Sequence, residues 1–96
     1  MSVERILEQR GSTYGDFSSI SQASQRIKKE LYTALDKNKD YHQLPDHHKA
    51  ALAEAVGMIA HKLARVVNGT VGHADSLTDI AGYAILIRDI LNKGGE

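Results

Sequence analysis

The sequence contains no cysteine and no tryptophan, and it has one proline, four tyrosines and one phenylalanine. Without cysteine the chain can form neither disulfides nor thiolate metal sites, which suits a reducing cytoplasm. Twelve basic and twelve acidic residues cancel, so the excess positive charge of a typical duplex DNA binder is missing. No apolar run approaches the roughly 18 residues of a membrane span, and the N-terminal segment lacks the apolar core of a signal peptide. We therefore predict a soluble cytoplasmic protein with neither DNA nor membrane as a partner.

The 96 residues are instead rich in aliphatic side chains that recur at helical spacing. This length fits one domain, and the scarcity of alternating patterns argues against a sheet, so we predict a single all-α domain. Start and stop residues predict four helices, at about 3–9, 18–36, 45–67 and 75–92. The stretch GSTYGDF (11–17) is predicted to be a turn-rich loop, and KNKDYHQ (37–43) a polar connection.

The last two predicted helices are too apolar for a short monomer to cover. Apolar residues occupy more than half of the circumference of the helix at 45–67, and they point in every direction from the helix at 75–92. A helix that is apolar all round must be covered all round, and three neighbouring helices, one of them short, offer too little surface. We therefore predict a homo-oligomer in which this helix packs against a second copy of the chain.

Charged residues interrupt these apolar helices on one face. In the third predicted helix Glu54, His61 and Arg65 share a face with Lys62 beside them, and in the fourth Asp75, Asp79 and Tyr83 follow at steps of four. The short turn between the two helices predicts an antiparallel hairpin that brings the cations close to Asp75 and Asp79. One interpretation is a ladder of salt bridges that sets the register of the hairpin. The other is a cleft in which Lys62 and Arg65 hold phosphate oxygens while the acidic residues orient them or accept ribose hydroxyls.

The predicted loop at 11–17 supplies a second candidate, because its glycines allow a close approach to a ligand and Tyr14 offers a stacking face. The alternative interpretation of this loop is a connector whose Tyr14 and Phe17 fill the core. No catalytic or metal-binding residue is predicted, and no cofactor. The predicted ligand-binding residues are Arg10, Tyr14, Asp16, Glu54, His61, Lys62, Arg65, Asp75, Asp79 and Tyr83.

Three segments, ILEQRGSTYGDF (6–17), MIAHKLARVVNG (58–69) and DSLTDIAGYA (75–84), resemble an uncharacterised family of short proteins of tailed phages and prophages. That family is in turn similar to the MazG-like all-α nucleotide pyrophosphatases. The resemblance implies a MazG-like helical hairpin core, assembly into dimers or tetramers, a nucleotide pocket between helices and a location in the bacterial host. MazG-type enzymes bind Mg²⁺ through an acidic pair on each of two helices. Here His61, Lys62 and Arg65 stand in place of the first pair, and Leu77 replaces an aromatic residue usual in the family.

Three hypotheses of function follow. The leading one is a phage-encoded protein that sequesters a nucleotide, or a nucleotide-derived defence signal, without cleaving it. The second is an Mg²⁺-dependent nucleotide pyrophosphohydrolase with Glu54, Asp75 and Asp79 as metal ligands. The third is a structural or partner-binding helical module in which each charge only sets register.

Overall fold

The computed structural model describes residues 2–69, 71–72 and 74–94, and within them all side chains except those of residues 12–14 and 94. These residues form five α-helices and no strand, which confirms the all-α class. The helices are α1 (Val3–Tyr14), α2 (Phe17–Asp36), α3 (Lys39–His42), α4 (Asp46–Asn68) and α5 (Ala74–Gly94). The prediction of four helices therefore missed one short helix.

The predicted loop at 11–17 is wrong, because α1 does not end at Gln9 but continues through Gly11 to Tyr14. A glycine inside a helix costs only about 1 kcal/mol, so Gly11 does not stop it. The chain turns at Gly15, whose φ of 97° is the one positive value among the described residues. Asp16 then caps α2 by accepting a hydrogen bond from the Ser19 amide at 3.1 Å, so α2 begins at Phe17.

The second correction concerns the predicted polar connection, which contains the four-residue helix α3. Its first turn forms because the Asn38 side chain accepts a hydrogen bond from the Tyr41 amide at 2.9 Å. The longer helices agree with prediction: α4 has 23 residues after Pro45, and α5 extends the predicted helix by about a residue or two at each end.

Helix α4 lies at the centre of the molecule, with α2 on one side and α5 on the other. The Lys62–Asp79 ion pair near the turn, together with a cavity shared by Ala51 and Ile90 far from it, shows that α4 and α5 run antiparallel as predicted. Among the side chains that the structure describes, the buried apolar ones are Ile20, Ala55, Ala60 and Ala64, so this core is thin and three of its four members are alanines. Small residues let the helices approach closely, but they bury little apolar surface.

Gly57 on α4 lies against the side chain of Tyr32 on α2. A Cβ atom added to Gly57 would overlap the hydroxyl of Tyr32, and this hydroxyl donates a hydrogen bond to the Ala53 carbonyl at 3.1 Å. The ring carbon that bears the hydroxyl lies 3.5 Å from the same added Cβ, an ordinary contact. The conflict therefore involves the tyrosine oxygen alone.

We expect Gly57→Ala to lower the free energy of unfolding by about 1–2 kcal/mol, because the added methyl group displaces the Tyr32 hydroxyl from its carbonyl. The same substitution made in a Tyr32→Phe chain should raise stability by about 0.5–1 kcal/mol, because only the helical preference of alanine remains. Urea unfolding followed by circular dichroism measures the free energy of unfolding of the unaltered chain, the two single variants and the double variant. A loss of stability in both backgrounds would contradict the proposed contact.

Many large apolar side chains lie on the surface of the protomer. On α5, Ile85, Leu86 and Ile90 are 50%, 61% and 38% exposed, and α5 packs within the protomer almost entirely against α4. This agrees with the sequence-based expectation that one protomer leaves α5 partly uncovered. None of the described helices combines the length and hydropathy needed to cross a bilayer.

Candidate functional site

The candidate site is a cavity of about 670 Å³ between α1, α2 and α4. A volume of this size is typical of small-molecule sites in proteins. Its lining residues combine two guanidinium groups, one imidazole and one carboxylate with apolar walls, and they are Leu7, Arg10, Gly11, Asp16, Phe17, Ile20, His61 and Arg65. Cationic groups on apolar walls suit a ligand with an anionic part and a flat or apolar part.

Four predicted ligand-binding residues meet in this cavity although they are far apart in sequence. The corner at Gly15 brings Arg10 and Asp16 against α4, where His61 and Arg65 face them one helical turn apart. The corner fits because Gly15 has no side chain: an added Cβ would overlap the backbone carbonyl of Asn68 at the end of α4. The contact between Gly15 and Asn68 therefore sets how far α1 stands from α4.

Phe17 is a lining residue that the prediction of ligand-binding residues omitted. It opens α2 directly after the corner, and it is 77% exposed, so the interpretation of Phe17 as a core residue is wrong. An exposed aromatic face beside two arginines is the arrangement that nucleotide bases stack on in many proteins. The position of Phe17 after a glycine turn was the only sequence signal, and it did not distinguish a core residue from a rim residue.

A second cavity, of about 250 Å³, adjoins the first through Arg65, which lines both. Its other lining residues come from α4 and the first turns of α5, and they are Lys62, Asp75, Ser76, Thr78 and Asp79. The predicted meeting of Lys62 and Arg65 with Asp75 and Asp79 is therefore present. Ser76 and Thr78 are the members that sequence reasoning did not single out.

One rung of the predicted salt-bridge ladder is present between α4 and α5. The ammonium of Lys62 lies 3.0 Å from a carboxylate oxygen of Asp79, and the two side chains are 14% and 48% exposed. A pair that is half in solvent contributes little to stability, typically about 0–1 kcal/mol. The pair orients Lys62 along the wall of the second cavity.

The structure places the remaining predicted residues elsewhere or leaves them undescribed. Glu54 and Tyr83 line a third, mostly apolar cavity with Ala55, Leu86 and Ile90 among others, and not the cavities that contain Arg65. Glu54 precedes Arg65 by eleven residues on α4, or about 16 Å along the helix axis. The side chain of Tyr14 lies outside the described residues.

The surroundings of His61 change how readily its imidazole binds a proton. Partial burial, followed by the charges of Lys28, Arg65 and Lys62, lowers the pKa of His61 below the ordinary histidine value of 6.5. The neutral imidazole is therefore the main form at neutral pH, able to donate one hydrogen bond and accept another. A phosphate group that enters the cavity would favour the protonated form instead.

We expect the stability of the protein to fall as the pH drops below 6.5, partly because of His61. A base with a lowered pKa in the folded chain binds a proton more readily when unfolded, so its contribution is complete above the unfolded pKa and is lost below it. Melting temperatures measured from about pH 7.5 to about pH 5.5 should decline less steeply in His61→Gln than in the unaltered chain. The matched control is His47→Gln, at an exposed position in the first turn of α4, which should keep the original slope. Equal slopes in all three chains would contradict the assignment.

Comparison with families of known proteins matches residues 2–91 to a family described as a domain of unknown function, DUF6378. The chain belongs to the DUF6378 family. Comparison with curated proteins and with solved structures found no significant match. The function of this DUF6378 chain must therefore be argued from the site itself.

Carboxylates in the DUF6378 chain are dispersed between the cavities. Asp16 lines the first, Asp75 and Asp79 the second, and Glu54 the third. Within the described part of the chain, no group of three or more histidine and acidic residues is placed to hold a metal ion. The ligand set Glu54, Asp75 and Asp79, expected for a pyrophosphohydrolase, is not assembled within one protomer.

Proposed function

We propose that this chain binds a nucleotide, or a small molecule derived from one, and holds it without cleaving it. The observation that carries the proposal is the cavity of about 670 Å³, whose lining includes the cationic or polar Arg10, His61 and Arg65 as well as the apolar Phe17 and Leu7. Arginine binds phosphate oxygens through its two-pronged donor set, and an exposed aromatic ring accepts a stacked base. The two halves of a nucleotide correspond to these two kinds of wall.

Binding without cleavage is favoured by the groups around the cavity. The cavity contains one carboxylate, that of Asp16, and this carboxylate already accepts hydrogen bonds from the amide and hydroxyl of Ser19 as the cap of α2. Arginine and histidine side chains neutralise phosphate charge, but they do not recruit Mg²⁺. We propose that the cations hold the ligand and that no residue of the protomer activates water beside it.

The resemblance to phage and prophage proteins supports a proposal about where the protein is made and what its binding achieves. We propose that the protein is made by a phage or prophage in the cytoplasm of the bacterial host, and that it lowers the free concentration of a nucleotide-derived defence signal. The α4–α5 hairpin is the part for which we propose a MazG-like core. Neither DNA nor a membrane is part of the proposal.

Thermal shift and calorimetry with a panel of nucleotides and cyclic dinucleotides, each with and without Mg²⁺, test the proposal. We expect at least one ligand to raise the melting temperature equally in both conditions and to be recovered intact by chromatography. Pyrophosphate released only with Mg²⁺ would overturn the non-cleaving part and favour a pyrophosphohydrolase. No shift with any ligand would favour a structural or partner-binding module.

We also propose that the protein is a homo-oligomer in which the exposed side of α5 packs against a second copy. The support is the run of exposed Ile85, Leu86 and Ile90 on a helix that contacts mainly α4, in a protomer with a thin core. In sedimentation at micromolar concentration we expect an assembly larger than one chain. Leu86→Lys should shift it toward single protomers, whereas the matched control Val3→Lys, on α1, should not. A single protomer in the unaltered chain would overturn this part.

A further inference from the structure

The second cavity, between α4 and α5, supports an inference about the class of ligand. This inference rests on the proposed function and goes beyond it. Each residue that lines the second cavity is polar or charged, whereas the first cavity has apolar walls at Leu7, Phe17 and Ile20. Arg65 lines both cavities, so the two adjoin at this side chain. The two cavities therefore differ in the chemistry of what they accept.

We infer that the ligand is a nucleoside diphosphate that carries a second sugar, with its base at Phe17, its phosphates at Arg65 and the hydroxyls of the second sugar in the cavity between α4 and α5. In this arrangement Arg10 and Arg65 bind the phosphates from two sides. The second sugar projects toward Asp75, Ser76 and Thr78. A nucleotide without that sugar fills only the first cavity.

The charges of the second cavity favour hydroxyls over a further phosphate. Lys62 and Arg65 are balanced there by Asp75 and Asp79, and Lys62 is already paired with Asp79 at 3.0 Å. A phosphate would face two carboxylates at close range, and the repulsion between like charges would cancel much of its attraction to the cations. Sugar hydroxyls both donate and accept hydrogen bonds, so they match carboxylates and cations at once.

Ser76 adds a hydrogen-bonding group to the wall of the second cavity. The residue is only 3% exposed. A serine hydroxyl both donates and accepts hydrogen bonds. A sugar hydroxyl in the cavity would have Ser76 as a partner.

The other end of the ligand is placed by Phe17. Phe17 is 77% exposed, and it lines the first cavity. Stacking on an aromatic ring accommodates any base, so the ring predicts a planar group without specifying which base. The order base, diphosphate, sugar then follows the order Phe17, Arg65, Ser76 along the two cavities.

Calorimetry with matched pairs of ligands tests the inference: ADP against ADP-ribose, and UDP against UDP-glucose. In the unaltered protein we expect the sugar-bearing member of at least one pair to bind about tenfold more tightly, the gain from one or two hydrogen bonds. Ser76→Ala and Asp75→Asn should bring this ratio close to one, because each substitution removes a hydrogen-bonding partner of the second sugar. Ser18→Ala, at an exposed serine on α2, is the matched control and should keep the full ratio.

The outcomes separate this inference from the proposed function. If diphosphates and sugar nucleotides bind equally well, the inference is overturned while nucleotide binding stands. If the ratio is high but unchanged in Ser76→Ala and Asp75→Asn, the sugar lies elsewhere and the inference is again overturned. If no member of either pair binds, the inference is overturned, and the wider panel of nucleotides and cyclic dinucleotides decides separately whether the proposed function stands.

Discussion

Gly15→Ala should lower the free energy of unfolding by about 2–4 kcal/mol, more than any other single methyl group added to this chain. Gly15 has φ 97° and ψ 176°, a backbone conformation that is essentially restricted to glycine. The added Cβ would also overlap the backbone carbonyl of Asn68, and a backbone atom cannot relieve the overlap by a change of side-chain rotamer. Relief requires α1 to move away from the end of α4. Urea unfolding followed by circular dichroism measures the loss.

Gly11→Ala is the matched control for this prediction. Gly11 lies within α1, and an added Cβ there meets nothing within 4 Å. Alanine at that position should raise stability by about 0.5–1 kcal/mol, because it favours the helix and restricts the unfolded chain. If Gly15→Ala and Gly11→Ala have similar unfolding midpoints, the corner does not hold α1 in place.

The Gly15 corner also explains why the sequence predicts some of the fold and not the rest. The apolar spacing in α4 and α5 is long and regular, so it predicts both helices and their antiparallel packing. At 11–17 the local signals conflict: Gly11 looks like a helix stop, but the cost of a helical glycine is small and the chain turns only at Gly15. Helix α3 depends on a single side-chain cap at Asn38, too weak a signal to separate from a polar loop.

In the candidate site, too, some features follow from local sequence patterns and others depend on tertiary contacts. The pairing of Lys62 with Asp79 follows from helical spacing and a short turn, so the sequence is sufficient to predict it. The meeting of Arg10 and Asp16 with His61 requires the distance between α1 and α4, which depends on the contact of Gly15 with Asn68. The fit of Tyr32 against Gly57 depends in the same way on a tertiary contact and has no local signal. Exposure also depends on tertiary packing, so the sequence alone does not decide whether Phe17 lies in the core or on the surface.

The second large effect is expected at Arg65, the side chain that lines both cavities. Arg65→Ala should weaken binding of a phosphate-bearing ligand by about 1.5–3 kcal/mol, or about 10- to 150-fold, for each charge-assisted hydrogen bond that is lost. Arg10→Ala removes a cation from the first cavity alone, so its effect should be smaller for a ligand that extends into both. Calorimetry with the best ligand of the nucleotide panel measures both affinities.

A substitution that keeps the charge separates geometry from electrostatics at this position. Arg65→Lys preserves one positive charge but loses the planar pair of donors, so we expect an affinity between those of the unaltered chain and Arg65→Ala. Arg26→Ala is the matched control, since Arg26 is exposed on α2 and lines none of the three cavities. Melting temperatures of the free proteins show whether each variant is folded before its affinity is compared. If Arg65→Ala is folded and binds the ligand as tightly as Arg26→Ala does, phosphates do not bind between the two cavities. In that case removal of the guanidinium group that lines both cavities would have left the affinity unchanged.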